Sequence, residues 1–135
     1  MKEDRRAYPR GKYKWPVVFK TGERSVSGVT LNIGPDGCFI SCQEPLRLNE
    51  VGELAIHIPD SNHIVKAKGE VVWSNIYGPD DEISPRGMGV RFIRIASEDR
   101  KFIATAVLGQ LKSLEVDPAL LNTLSTLIID LSEGE

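Results

Sequence analysis

Ile64-Val65-Lys66-Ala67-Lys68-Gly69-Glu70-Val71-Val72-Trp73-Ser74-Asn75 is the stretch on which the reading of the fold turns. Val65, Ala67, Val71 and Trp73 share one parity, and Lys66, Lys68 and Glu70 share the other. That period of two is the mark of a strand with one face in a core. Shorter runs of the same kind lie on either side. Met88, Val90 and Phe92 alternate after it. Before it, Leu54, Ile56 and Ile58 share a face, with Ala55 and His57 opposite. Cys38–Cys42 is a further strand, and Ser25–Asn32 sets Val26, Gly28 and Thr30 against Ser27, Val29 and Leu31. Tyr13–Lys20 is rich in aromatic and β-branched residues, and Pro16 within it predicts an edge or a bulge. Thr21-Gly22-Glu23 and Gly34-Pro35-Asp36-Gly37 are turns, the second with two glycines able to take positive φ. Ile76–Arg86 is polar, holds Gly78, Pro79 and Pro85, and reads as a mobile hairpin loop. Six short strands joined by turns predict an antiparallel barrel or sandwich.

After Ile95 the period changes to 3.6. Ser97 is a candidate N-cap followed by Glu98 and Asp99, which suit the positive end of a helix. Phe102, Ile103, Ala106, Val107, Leu111 and Leu114 form one apolar stripe, predicting helix over 98–115. Asp117-Pro118 opens a second helix over 118–132, with the stripe Leu120, Leu121, Leu124, Leu127, Ile128 and Leu131. One stripe is expected to cover a barrel end. The other packs back as a hairpin or pairs with a second copy, so a homodimer through the C-terminal helices is one expectation. The organisation is one domain: a flexible arm over 1–12, a β-barrel over 13–96 and a helical segment over 97–135.

The chain has 135 residues, 41% of them hydrophobic and 27% charged, as in a soluble globular domain. No apolar run approaches the roughly 20 residues of a membrane span. No secretory signal is visible, so the cytoplasm is the expected compartment. If Cys38 and Cys42 lie on one strand they sit about 13 Å apart, beyond the roughly 7 Å that a disulfide bridges, and are expected to be reduced. The net charge of −2 conceals an asymmetry. Residues 1–14 carry Lys2, Arg5, Arg6, Arg10, Lys12 and Lys14 against Glu3 and Asp4 only, and the remainder is acidic. An acidic body opposes a nucleic-acid-binding barrel, which relies on a broad cationic surface.

Catalytic signatures are missing. His57 and His63 have no nucleophile and orienting carboxylate beside them in sequence, and the histidine and cysteine spacings match no familiar zinc pattern. Neither a Walker loop nor a GxGxxG before a helix occurs. A non-catalytic chain without cofactor or metal is expected. What remains is the arm. Arg6 and Arg10 stand four apart with Pro9 disfavouring helix at Tyr8. From charge alone the arm is either a solvated tail or a grip for an anionic, planar ligand, because guanidinium groups bind phosphate bidentately and stack on flat rings.

Two motifs in order decide between them. Arg6-Ala7-Tyr8-Pro9-Arg10, preceded by Arg5, and Asn32-Ile33-Gly34-Pro35-Asp36-Gly37 resemble the RxxxR and (D/N)xSxxG motifs of the PilZ domain family. Gly69-Glu70-Val71-Val72-Trp73 and Gly87-Met88-Gly89-Val90-Arg91-Phe92 are similar to its later strands, so the resemblance covers roughly 4–95. It implies a six-stranded antiparallel β-barrel with a C-terminal helix, so the expected fold is mainly β, with the two helices read from the apolar stripes following the barrel. It also implies a receptor for cyclic di-GMP in bacterial signalling, coupled to a downstream protein. Arg6 and Arg10 would hold phosphate oxygens or the O6/N7 edge of guanine, with Arg5 in support. Asn32 would offer an amide to a guanine edge, and Gly37 would let the backbone approach. Trp73 is either an apolar wall beside the base or a core tryptophan. Gly34 replaces the motif serine, and one neutral hydrogen bond contributes about 0.5–1.5 kcal/mol, roughly a two- to twelvefold change in affinity. The alternative is a degenerate member that serves as an interaction module without nucleotide.

Overall fold

The computed structural model describes residues 8–114 and 116–133. The chain runs β1 (Pro16–Lys20), β2 (Ser25–Gly34), β3 (Gly37–Ser41), β4 (Val51–His57), β5 (Ile64–Asn75), β6 (Gly87–Ile95), α1 (Ser97–Ser113) and α2 (Pro118–Glu133). The strands close into a barrel in the order β1-β2-β3-β6-β5-β4, and every neighbouring pair is antiparallel. The alternative of a sandwich is thereby excluded. Closure pairs both edges of the sheet, so among the described residues none of its six strands is an edge. Pro16 is therefore not an edge marker. It is the first residue of β1, where a missing N–H disturbs the ladder least.

The inward parity fills the barrel. Phe19, Ile33, Ile40, Leu54, Ile56 and Met88 are fully buried, and each such side chain contributes roughly 1.5–3 kcal/mol by leaving water. Cys38 and Cys42 are free buried thiols on the same parity as Ile40. Burial pushes them up to about 12 and about 11, so both remain protonated at neutral pH.

Trp73 departs from the expected parity. The β5–β6 register shifts between Val71 and Trp73. This bulge turns Trp73 outward, whereas Val71 stays in the core. The segment 76–86 joins β5 to β6 as the expected hairpin connection and carries its own hydrogen bonds. Asn75 Nδ2 donates to the carbonyls of Pro79, Ser84 and Pro85 at 2.8, 3.0 and 3.2 Å, and Asn75 Oδ1 accepts from the Gly78 N–H at 2.9 Å. The Arg86 guanidinium closes the other side on the carbonyls of Ile76 and Gly78.

In α1, Ser97 is the first helical residue rather than the cap. Ala96 takes the cap position without a side-chain bond. The buried face is Ile103, Ala104, Val107 and Leu111, whereas Phe102 and Leu114 of the expected stripe are exposed. α2 packs on α1 through Leu124 and Leu127 and leaves Leu120 and Ile129 exposed. Asp117 caps α2 as expected, its Oδ1 accepting from the Ala119 N–H at 2.9 Å.

The segment before β1 is stitched between β2 and α1. Gly11 exchanges backbone hydrogen bonds with Ile33, at 2.8 and 2.9 Å. The Gln110 side chain accepts from the Lys12 N–H at 2.5 Å and donates to the Lys12 carbonyl at 3.0 Å. Tyr13 Oη donates to the Ala106 carbonyl at 2.7 Å. Thr30 is fully buried; its hydroxyl accepts from the Trp15 N–H at 2.9 Å and donates to the Tyr13 carbonyl. Thr30→Val keeps the shape and removes both bonds. It is expected to lower stability by about 2 kcal/mol, because an orphaned buried donor loses its full solvation. Urea denaturation measures it, and an unchanged midpoint would show that the Trp15 N–H finds another acceptor.

Candidate functional site

The two sequence motifs meet at one end of β2. Arg10 Nη1 donates to Asn32 Oδ1 at 3.0 Å. The same side chain lies against the hairpin between β2 and β3. A Cβ built on Gly34 would stand 2.8 Å from the Pro9 carbonyl oxygen and 2.9 Å from Arg10 Cγ. One built on Gly37 would stand 3.2 Å from Arg10 Nη2 and 2.2 Å from the Val90 carbonyl oxygen. Neither glycine has positive φ. The positive φ that the turn would allow is therefore not used. These glycines are required by close approach, of the arm to Gly34 and of β6 to Gly37. The Arg10 guanidinium also reaches the buried Cys38 thiol electrostatically, opposing the upward push of burial.

A row of side chains runs across the barrel from this point. Asn32 is the partner of Phe39 on β3, Phe39 of Gly89 on β6, and Gly89 of Trp73 on β5. Directly paired residues share a face. Cys38 and Ile40 point inward, so Phe39 points outward, and Trp73 is 38% exposed. Gly89 lacks a side chain between them. The two rings therefore meet across it, with centroids 5.5 Å apart and planes inclined by 50°. The row offers a guanidinium, a carboxamide and an apolar aromatic surface in sequence.

Asp36, at the tip of the hairpin, is held twice. Its carbonyl accepts from the Phe92 N–H at 2.7 Å, and its carboxylate receives Arg100 Nη2 of α1 at 2.8 Å. The same guanidinium stands over the Tyr8 ring, 5.6 Å from its centroid.

Of the residues singled out in the sequence, Arg10, Asn32, Gly34 and Gly37 are brought together, and Trp73 lies in the same transverse row. Arg5 and Arg6 lie outside the described residues. Phe39 and Arg100 were not foreseen. The alternation Cys38, Phe39, Ile40 could have placed Phe39 outside, but nothing in the sequence linked Arg100 to a turn so distant along the chain. Asp80-Asp81-Glu82 belongs to the hydrogen-bonded 76–86 loop, where Asp81 Oδ1 accepts from the Ile83 and Ser84 N–H groups. His57 is exposed, and His63 pairs with Asp99 at 2.9 Å beside Phe102. Among the described residues, no group of three or more His, Cys, Asp or Glu side chains could hold a metal, and no helix is long and apolar enough to cross a membrane.

Comparison with known proteins gives a consistent result. The model of the PilZ domain family matches residues 4–109. Among solved structures, the Bacillus subtilis inhibitor of motility, MotI/DgrA, is similar with a TM-score of 0.67 at 19% identity, over 82% of this chain and 53% of that one. The chain thus spans about half the length of that protein. The PilZ domain of YcgR from Escherichia coli, solved with c-di-GMP, is similar with a TM-score of 0.62 at 8% identity, over 82% of this chain and 95% of that one. At these identities the likeness is one of fold. No curated protein matches the sequence significantly.

Proposed function

This chain belongs to the PilZ domain family, a family of cyclic di-GMP receptors, and from that premise we propose that it is a non-catalytic cyclic di-GMP receptor of the bacterial cytoplasm. The observation that supports the reading most directly is the transverse row beginning at the Arg10–Asn32 hydrogen bond and ending at the Phe39–Trp73 rings. The ligand carries two phosphates and two guanines. A guanidinium fork matches a phosphate or the O6/N7 edge of guanine. The Asn32 carboxamide suits a base edge, and a ring face provides stacking worth about 1–3 kcal/mol per base. Arg6, with Arg5 in support, supplies the second grip of the RxxxR motif. On binding, the ligand ties the N-terminal arginine arm, already docked at Gly11, more firmly to the barrel, and the surface offered to a downstream protein changes.

Isothermal calorimetry of the wild-type protein with cyclic di-GMP tests this reading. Saturable binding at micromolar ligand is expected, and a folded protein that gives no heat at high micromolar ligand ends it. One observation favours the competing reading, an interaction module without nucleotide: the Arg10 guanidinium and the Asn32 amide oxygen satisfy each other.

Gly34→Ser separates the two in a way that motif logic alone does not. The new Cβ would press on the Pro9 backbone and Arg10 Cγ at under 3 Å, so restoring the motif serine displaces the arm. The variant is expected to bind cyclic di-GMP roughly tenfold more weakly than wild type, a loss of about 1.4 kcal/mol. Tighter binding by the variant would instead mark Gly34 as a decayed position.

A further inference from the structure

We propose that Arg100 is a positioning residue for the Arg10–Asn32 site, clamping the arm and the β2–β3 hairpin together from the first turn of α1. The proposal rests on the nucleotide reading above for its functional consequence, but not for its geometry. One guanidinium serves two partners that belong to the two motifs. It bonds the Asp36 carboxylate at the hairpin tip at 2.8 Å, and it covers the ring of Tyr8, two residues before Arg10. Asp36 is in turn fixed to β6 through the Phe92 N–H. The hairpin tip is therefore anchored to the barrel by its backbone, and Arg100 attaches Tyr8 to that anchor. Downstream, Gly11 is locked to Ile33. Arg10 thus lies between two fixed points, and its guanidinium is held over Asn32 and Gly37 rather than searching for them. A planar guanidinium bonds a carboxylate through its edge while its face covers a ring, which makes arginine a fitting residue at position 100.

Without the clamp, ligand binding must also order Tyr8 and Pro9, and that ordering opposes affinity. The ion pair itself is partly exposed, with side-chain accessibilities of 30% and 37%. Pairs of that exposure contribute little to global stability. Arg100→Ala is thus expected to weaken cyclic di-GMP binding about tenfold while shifting Tm by no more than about 2 °C. Arg100→Lys should recover part of the loss through Asp36. Tyr8→Leu, which leaves α1 untouched, should weaken binding in the same direction.

The experiment combines calorimetry with NMR of the Asn32 side-chain amide in the ligand-free proteins. If the clamp acts as described, that resonance in Arg100→Ala moves toward its position in Arg10→Ala. Wild-type affinity together with an unmoved Asn32 resonance in Arg100→Ala overturns the proposal and leaves the nucleotide reading intact. If the wild-type protein itself binds no cyclic di-GMP, the nucleotide reading falls and the Asn32 resonance alone decides: movement upholds the clamp, and no movement overturns it.

Discussion

Arg10→Ala is expected to lower the affinity for cyclic di-GMP roughly a hundredfold while leaving the barrel folded. Hydrogen bonds from a charged donor contribute about 1.5–3 kcal/mol each, and a hundredfold change corresponds to about 2.8 kcal/mol. The side chain is aimed at Asn32 and lies along Gly34 and Gly37, so its loss removes a cation that touches the row of polar and aromatic groups. The Arg10–Asn32 contact is only part-buried. Water can therefore replace the lost donor, and the melting temperature should change little. Arg10→Lys should rescue poorly, because an ammonium cannot reproduce the planar fork. Calorimetry with circular dichroism on the same samples checks both halves. Affinity within threefold of wild type would remove Arg10 from the ligand site.

Gly37→Ala should produce the largest effect on stability. A methyl group at this position would stand 2.2 Å from the Val90 carbonyl oxygen and 3.2 Å from Arg91 Cα. Both belong to the backbone of β6, which pairs with β3 here. No rotamer change relieves such a contact; the strands must part. The expected loss is about 3 kcal/mol, or about 10 °C in Tm for a domain of this size. Thermal unfolding measures it directly. Gly34 faces the arm instead, so Gly34→Ser shifts a segment that can yield and Gly37→Ala strains one that cannot. An unperturbed melting curve for Gly37→Ala would mean that the seam between β3 and β6 is more compliant than its register implies.

The strands and helices were legible because their apolar periods are clean. Val65, Ala67, Met88 and Val90 read as inward positions and are inward. Trp73 was misplaced because a bulge changes parity without leaving a trace in composition. Closure into a barrel rather than a sandwich came from the family resemblance, since alternation within a strand says nothing about which strands become neighbours. At the site, two motifs in order pointed to Arg10 and Asn32 as neighbours around one ligand, but not to the hydrogen bond between them. Close approach was expected of Gly37 toward a ligand but not toward β6, and not of Gly34 toward the arm, because the letter does not name what approaches. Arg100 was invisible for a related reason. Its partners Asp36 and Tyr8 are brought to it only by the tertiary fold.

Barrel closure has a kinetic consequence. β1 must find β4, matching Phe19 with Leu54, and β3 must find β6, matching Cys38 with Val90. Neither seam forms by local zipping, so the entropy of drawing distant segments together has to be met before the closing contacts offset it. The chain should accordingly refold on the millisecond-to-second scale rather than in microseconds. The bridge from Gly11 to Ile33 closes a shorter loop than either seam and needs only β2, which its hairpins with β1 and β3 already seat. The segment that carries Arg10 is thus able to dock on β2 before the barrel closes.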